Sequence, residues 1–392
     1  MPRPEPDQRL KLELDRCVKC GLCLPECPTY RLRTNENESP RGRIALIEGL
    51  VGGRLSADAP LMRHLDSCLA CRRCERVCPS KVRYGHLIDT VRARTPHQVP
   101  FPLRWLDRPG VMRLGTRLAR LLPLGLSRPF GALQRMHRLA RALPIRGAAP
   151  APGDYPPLGE ARRGRIALFV GCAGSAQQPG TLGAALTLLR RVGFTVSIVA
   201  EPGCCGALAQ HAGDTRRAAQ LAERNRRALD GGFDAIVSVA SGCGIHLDDY
   251  APALPAPHYD INRFLIEQGR LSADDFRPSN RSVALHTPCS VQNVYRGEKW
   301  ARELLALIPQ LRVEALGEAG QCCGAAGDYM LRHPHTAQQL RKPLLAQFVA
   351  LGSESLLTSN IGCAMHLADG LRENPLPVHV LHPVELLAEQ LK

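Results

Sequence analysis

Two runs of cysteine constrain what this chain can fold into more than any other feature. Residues 17–28 read Cys-Val-Lys-Cys-Gly-Leu-Cys-Leu-Pro-Glu-Cys-Pro, and residues 68–79 read Cys-Leu-Ala-Cys-Arg-Arg-Cys-Glu-Arg-Val-Cys-Pro. Both follow C-x2-C-x2-C-x3-C-P. Three closely spaced thiolates can wrap three corners of a metal–sulfur cube from one short loop, and the Pro after the fourth steers the chain away. Zinc is the competing reading, because tetrahedral thiolate cages also use C-x2-C pairs. Zinc modules rarely run four cysteines at this compact spacing twice, each followed by Pro. The spacing therefore favours two [4Fe–4S] clusters.

A chain of 392 residues is long enough for two or three domains with real cores. Its 16 cysteines fall in motifs, which argues for metal sites in a reducing compartment rather than disulfides. The start, Met-Pro-Arg-Pro-Glu-Pro, has no apolar h-region, and no stretch approaches the apolar length that spans a bilayer. The expected location is cytoplasmic, at most peripheral on the cytoplasmic face of the inner membrane. The net charge of +15 is carried mostly by Arg. An anionic membrane surface, an acidic partner protein, or an Arg-rich coding bias without function would each account for it. Nucleic acid is disfavoured: no helix-turn-helix, zinc-finger or RNA-binding aromatic motif is evident, and aromatics are 4% of the chain.

Between the cysteine runs, Ser39 can cap a helix with Pro40 at its first position and Ile44, Leu46, Ile47 and Leu50 on its apolar face. A helix is expected before them around Leu10, Leu12 and Leu14, another near Pro60–Leu65, and one starting after Cys78. Residues 1–97 thus read as an all-helical two-cluster domain. Residues 98–164 read as a basic helical bridge and linker. There Arg104, Arg113, Arg117, Arg120, Arg135, Arg138 and Arg141 interleave with Trp105, Leu114, Leu118, Leu121, Leu133 and Leu139. Such helices can lie on an anionic membrane or pack on the next domain with Arg toward water. Gly147–Pro157 reads as linker.

From residue 165 the chain repeats itself. Arg165–Cys172 aligns with Ser282–Cys289, Gly203–Gly206 with Gln321–Gly324, Ala235–His246 with Ser355–His366, and Phe264-Leu-Ile-Glu-Gln with Leu386-Leu-Ala-Glu-Gln. Short apolar runs (Ile166–Val170, Val196–Val199, Ala235–Val239) alternate with helical patterns (Leu182–Val192, Thr215–Leu229). This predicts two related α/β lobes with parallel sheets, over 165–270 and 280–392, and hence an α+β multidomain chain. Each key cysteine falls near a strand's C-terminal end, where open parallel sheets bind ligands. Cys172, Cys204, Cys205 and Cys243 should converge, as should Cys289, Cys322, Cys323 and Cys363. Additional clusters, redox-active thiols, or a scaffold with little chemistry all remain open for these lobes.

The paired motifs resemble two-cluster bacterial ferredoxins, in which the fourth cysteine serves the other cluster. That resemblance implies one cluster on Cys17, Cys20, Cys23 and Cys78 and the other on Cys68, Cys71, Cys74 and Cys27. Over nearly its whole length the chain resembles the iron–sulfur subunits of glycolate oxidase (glycolate dehydrogenase). The likeness is carried by Cys17–Cys23, Cys27-Pro-Thr-Tyr, Pro40-Arg-Gly-Arg-Ile, Leu65–Glu75, Cys78–Tyr84, Ser241-Gly-Cys-Gly, Cys322–Gly327 and Asn360-Ile-Gly-Cys. The Cys-Cys-Gly lobes are shared with heterodisulfide reductase, lactate-utilisation and glycerol-3-phosphate dehydrogenase subunits, so the cysteines alone do not choose the substrate. Heterodisulfide-reductase lobes carry a further Cys where this chain has His246 and His366; an imidazole can replace a thiolate. The resemblance implies FAD and the glycolate site on partner subunits, with no catalytic residue here, and electrons passing on to a membrane quinone or other acceptor. No G-x-G-x-x-G loop follows a strand, in keeping with a flavin held elsewhere. The alternatives are an iron–sulfur subunit of a related lactate or glycerol-3-phosphate dehydrogenase, or a heterodisulfide-reductase-like subunit whose Cys-Cys-Gly lobes are themselves the active site.

Overall fold

Proline opens most of the amino-terminal helices, because its fixed φ suits the first helical turn and its missing N–H is not needed there. The computed structural model describes residues 6–94, 107–123, 131–200, 203–318, 321–372 and 378–392. The expectations for Arg104 and Trp105 and for the boundary at residue 97 lie outside the described residues. Helices run Pro6–Asp15, Pro28–Arg33, Pro40–Val51, Ala59–Asp66, Arg73–Arg76 and Tyr84–Arg94, and the described residues of this stretch contain no strand. The Ser39 hydroxyl accepts from the Gly42 N–H at 2.9 Å, which caps the third of them. Gly42 must lack a side chain there, since a Cβ would meet the Glu36 carbonyl at 1.9 Å. Leu10, Leu14, Ile44, Ile47, Leu65, Leu87 and Ile88 form the core between these helices, and Cys68 and Cys74 belong to it. Leu12 lies off that helical stripe and faces water.

The rest of the chain builds two sheets. The first contains β1 (Gly153–Tyr155), β2 (Arg165–Phe169), β3 (Thr195–Ile198), β4 (Ala235–Ser238) and β5 (His258–Asp260), in the order β1-β3-β2-β4-β5. The second contains β6 (Ser282–His286), β7 (Arg312–Leu316), β8 (Ser355–Thr358) and β9 (His379–Leu381), in the order β7-β6-β8-β9. All pairs are parallel except β1 with β3. The chain is thus an α+β protein with parallel sheets. Strand β1 corrects the reading of Gly147–Pro157 as linker: the first sheet reaches back before residue 165. Three residues set among Pro and Gly carry no period-2 pattern, and only the open edge of β3 reveals their role. Asp154 fixes this edge by accepting from Ser197 at 2.6 Å and pairing with Arg165 at 3.2 Å.

Strand alternation assigns the faces. Ile166 and Leu168 of β2, Val237 of β4, Val283 and Leu285 of β6 and Leu357 of β8 all enter one shared apolar core. Ala167, Phe169 and Ile236 face a second cluster that holds Cys172, Cys204 and Cys205. Ala284 and Leu356 face a third, with Cys322, Cys323 and Cys363. Helix Pro179–Arg191 packs on Pro383–Gln390, and helix Ile261–Gln268 packs on Trp300–Leu305. These two contacts exchange under the internal repeat. Among the described residues of the bridge, helices Pro109–Leu121 and Gly131–Ala140 stand where amphipathic helices were expected.

Candidate metal centres

The two amino-terminal cysteine loops share one backbone path. Left-handed φ values occur at Lys19 (56°) and Gly21 (86°) in the first, and at Ala70 (49°) and Arg72 (57°) in the second. These are the second and fourth residues after each leading cysteine. Left-handed backbone at a non-glycine residue costs roughly 1–2 kcal/mol, and it persists where the surroundings over-determine it. Turning the chain this way aims N–H groups inward; that of Ala70 donates to Cys68 Sγ at 3.4 Å.

Cys17, Cys20, Cys23 and Cys78 line one concave site with Pro40, Ile44, Pro79 and Tyr84; Cys74 also reaches it, and Cys27 does not. Cys27 lies instead among the second set: the charges acting on Cys74 include Cys71, Cys68 and Cys27. Burial pushes the Cys71 and Cys74 thiols well above their ordinary range, and Cys23 up to about 11. A bound iron cluster supplies the positive charge that keeps such buried sulfurs deprotonated. Among the described residues no three His, Cys, Asp or Glu side chains close around a single ion. A cubane spaces its four thiolates more widely, because each binds a different iron. All-sulfur donors, an apolar wall and inward N–H groups fit that group.

Arg43 joins the two motifs. Fully buried, it donates to Thr29 Oγ1 (3.1 Å), Ser67 Oγ (2.8 Å), the His64 carbonyl (2.7 Å) and Glu38 Oε2 (2.7 Å), with Nη1 3.9 Å from Cys27 Sγ. Arg92 donates to the Cys68 carbonyl at 2.8 Å. The cations beside the clusters are partly neutralised by acids: Lys19 by Glu48, Arg72 by Glu75, and Arg73 by Glu26.

The lobe cysteines stand at the C-terminal edges of three neighbouring strands in each sheet. Cys172 follows β2, Cys204 and Cys205 follow β3, and Cys243 follows β4; Cys289, Cys322, Cys323 and Cys363 follow β6, β7 and β8 in the same way. In each Cys-Cys-Gly turn the glycine is left-handed, Gly206 at φ 93° and Gly324 at φ 86°. Its N–H donates to the first cysteine's sulfur at 3.4 Å in both lobes. Cys323 and Cys363 Sγ touch at 2.9 Å, and Cys289 hydrogen-bonds Cys322. In the first lobe Cys172 and Cys205 both hydrogen-bond Cys204, which holds its thiol well below the ordinary value. Cys205 also bonds Cys243. All eight lobe cysteines therefore converge in their expected sets.

Sequence reasoning missed Asn225 and Tyr250. Asn225 is buried on helix Thr215–Ala228, where it donates to the Cys204 carbonyl (3.0 Å) and to Tyr250 OH (2.9 Å), while accepting from Gly203 N–H (2.9 Å). Tyr250 OH donates to the Cys205 carbonyl at 2.6 Å. The sequence signal was a lone Asn on an otherwise apolar helical stripe with Ala218 and Leu221. His246 and His366 also differ. His366 is buried with both ring nitrogens engaged, by Arg341 Nη1 (3.3 Å) and the Ala337 carbonyl (3.1 Å). His246 has no hydrogen-bond partner on Nε2 among the described residues, and that atom stands 3.3 Å from where a Cβ on Gly206 would be.

The second lobe, rather than the first, seats its cysteines against the cluster domain. Asn293 donates to the Cys71 carbonyl at 2.8 Å, and Leu69 and Cys71 pack in the same apolar cluster as Cys289, Cys322, Cys323 and Cys363. Arg76 and Glu298 add an ion pair at 3.2 Å across this contact. The first lobe meets the cluster domain through His211 and Asp89 at 3.0 Å.

Comparison with known proteins bears on the same residues. Residues 13–82 match the 4Fe-4S dicluster domain, and residues 166–248 and 283–368 match the Cysteine-rich domain. The chain is 32% identical to the glycolate oxidase iron–sulfur subunit of Escherichia coli K12, over 97% of this chain and 94% of that protein. It is 29% identical to a probable glycolate oxidase iron–sulfur subunit of Bacillus subtilis 168, over 96% of this chain and 94% of that protein. In fold it is similar to a hypothetical protein from Helicobacter pylori, with TM-score 0.53, 10% identity, and coverage of 98% of this chain and 73% of that one. Two adjacent thiolate loops, the matched cluster domain and end-to-end similarity lead to one conclusion: the chain belongs to the family of glycolate oxidase iron–sulfur subunits, electron-transfer subunits of an oxidoreductase complex.

Proposed function

We propose that this chain relays electrons from a partner FAD subunit, which oxidises glycolate to glyoxylate, to a membrane quinone or another membrane-linked acceptor. In this reading an all-helical two-cluster domain (1–97) and a basic bridge (98 to about 152) precede two related lobes, the first starting at β1. Glycolate oxidation releases two electrons and two protons, which the flavin takes up; this chain contributes no substrate group. When bound, two [4Fe–4S] clusters supply one-electron steps. Cys17, Cys20, Cys23 and Cys78 would hold the one nearer the surface, and Cys27, Cys68, Cys71 and Cys74 the buried one. The carrying observation is the sequence of exposure: Cys20 is exposed, Cys27, Cys68 and Cys74 are buried, and the Cys71 loop abuts Cys322 of the second lobe. The chain would work on the cytoplasmic face of the inner membrane.

Anaerobic purification with iron counting and EPR tests this. About eight irons per chain are expected for two cubanes, and a larger count would mean loaded lobes. Reduced flavoprotein partner with glycolate should reduce the clusters; a colourless zinc protein would end the reading. A second reading, in which the lobes reduce an acceptor directly, draws on the low-lying Cys204 thiol and the Cys71–Cys322 proximity. Cys205→Ser and Cys323→Ser should leave most turnover intact for a pure relay, and abolish it for a lobe active site.

A further inference from the structure

We propose that helix Pro109–Leu121 seats this protein on an anionic lipid surface, lying in the plane of the interface. This rests on the peripheral placement proposed above and names the element responsible. Val111, Leu114, Leu118 and Leu121 are 42, 59, 49 and 80% exposed. Their spacings of three, four and three residues put them on one helical face. An ordinary surface helix turns its apolar face inward, and this one is docked the other way round. Thr116 is buried and accepts from Gln177 Nε2 at 2.9 Å, and Met112 packs against the cluster around Cys172. The helix is fixed by its opposite side and presents leucines to solvent. Leu122 and Leu133 are also exposed, at 49 and 50%.

The charge pattern selects the occupant. Nine arginines and no Asp or Glu occupy residues 108–153. Arg113 and Arg117 are exposed beside the apolar stripe. Two more are turned to structure at the helix's far end: Arg141 donates to the carbonyls of Arg120 and Leu122 at 2.9 and 3.0 Å, and Arg120 to that of Leu143. An apolar face edged by guanidinium groups on apolar stems matches the acyl–headgroup boundary of an anionic bilayer. No described helix is long and apolar enough to cross a membrane, which agrees with a helix that lies flat.

The test uses cluster-loaded protein and sedimented vesicles of phosphatidylcholine, with or without about 30% phosphatidylglycerol. Wild type should bind the anionic vesicles only, and 0.5 M salt should weaken binding, as expected for roughly Debye-length interactions. Leu114→Glu/Leu118→Glu should lower the bound fraction about tenfold, and Arg113→Ala/Arg117→Ala should lower it by a smaller factor. Iron content, and reduction of a soluble dye by glycolate once the flavoprotein partner is added, should stay at wild-type level in every variant. Equal vesicle binding by Leu114→Glu/Leu118→Glu and wild type would overturn the proposal. So would vesicle binding kept while capture of the flavoprotein partner is lost, which would make the stripe a protein interface. Either result, with dye reduction intact, leaves the electron-relay reading standing; loss of dye reduction in wild type would end that reading instead.

Discussion

Cys20→Ser combined with Cys78→Ser is expected to cost one cluster, whereas Cys20→Ser combined with Cys27→Ser is expected to cost both. The reason is the proposed exchange of fourth ligands between the two motifs. Cys78 lines the site of Cys17, Cys20 and Cys23, while Cys27, from the first loop, lies with Cys68, Cys71 and Cys74. The first double variant therefore damages one site twice, and the second damages each site once. Iron should fall by about four per chain in the first case and about eight in the second. In-motif ligation predicts the reverse, so iron counting decides between the arrangements without any activity assay. Turnover should drop to background in both variants, because each breaks the series. EPR adds a check: spin–spin broadening of the reduced clusters should vanish from the first variant and leave a single unbroadened signal.

That experiment turns on a feature whose donors were legible and whose shape was not. The spacing of eight cysteines points to iron–sulfur clusters, since compact thiolate loops have few other uses. It does not announce that Ala70 and Arg72 adopt the left-handed backbone that Lys19 and Gly21 adopt in the first loop. Only Gly21 advertises that backbone by residue type. In the lobes, the internal repeat and the β–α–β alternation placed each cysteine at a strand edge. Which face of each sheet meets the other lobe was hidden, because Ile166 and Ala167 are both apolar and both fully buried. Such strands carry no polar–apolar alternation to read. Asn225, Tyr250 and the single orphaned nitrogen of His246 are tertiary facts: the partners of the first two lie 21–45 residues away along the chain. The contact between Asn293 and Cys71 spans 222 residues and left no local trace.

The second large effect is expected at a residue that binds no iron. Arg43→Met should destabilise the cluster domain by about 3–5 kcal/mol, the cost of stranding one member of a buried ion pair. Arg43 and Glu38 have side chains 1 and 3% exposed and stand 2.7 Å apart. Removing the cation leaves a carboxylate in the core and frees Thr29, Ser67 and the His64 carbonyl from their shared donor. Those groups fix Cys27 and Cys68 relative to one another, so the buried cluster should be released to a chelator faster than the exposed one. Burial pushes the Glu38 carboxyl up, but hydrogen bonds from Ser67 and His64 and the charges of Arg43 and Arg33 outweigh it and hold the group below the usual range. A carboxyl lowered in the folded state stabilises above its unfolded value of about 4.3, and that stabilisation is lost as pH falls through the folded value. Glu38→Gln should therefore be much less stable than wild type at neutral pH, and the gap should close in acid. Urea midpoints followed by cluster absorbance from pH 7 down to about pH 3, below the unfolded carboxyl value of about 4.3, read this directly. A gap of constant size would mean that Glu38 titrates in the folded protein as it does in the unfolded chain, so that its contacts with Arg43, Ser67 and His64 add no pH-dependent stability.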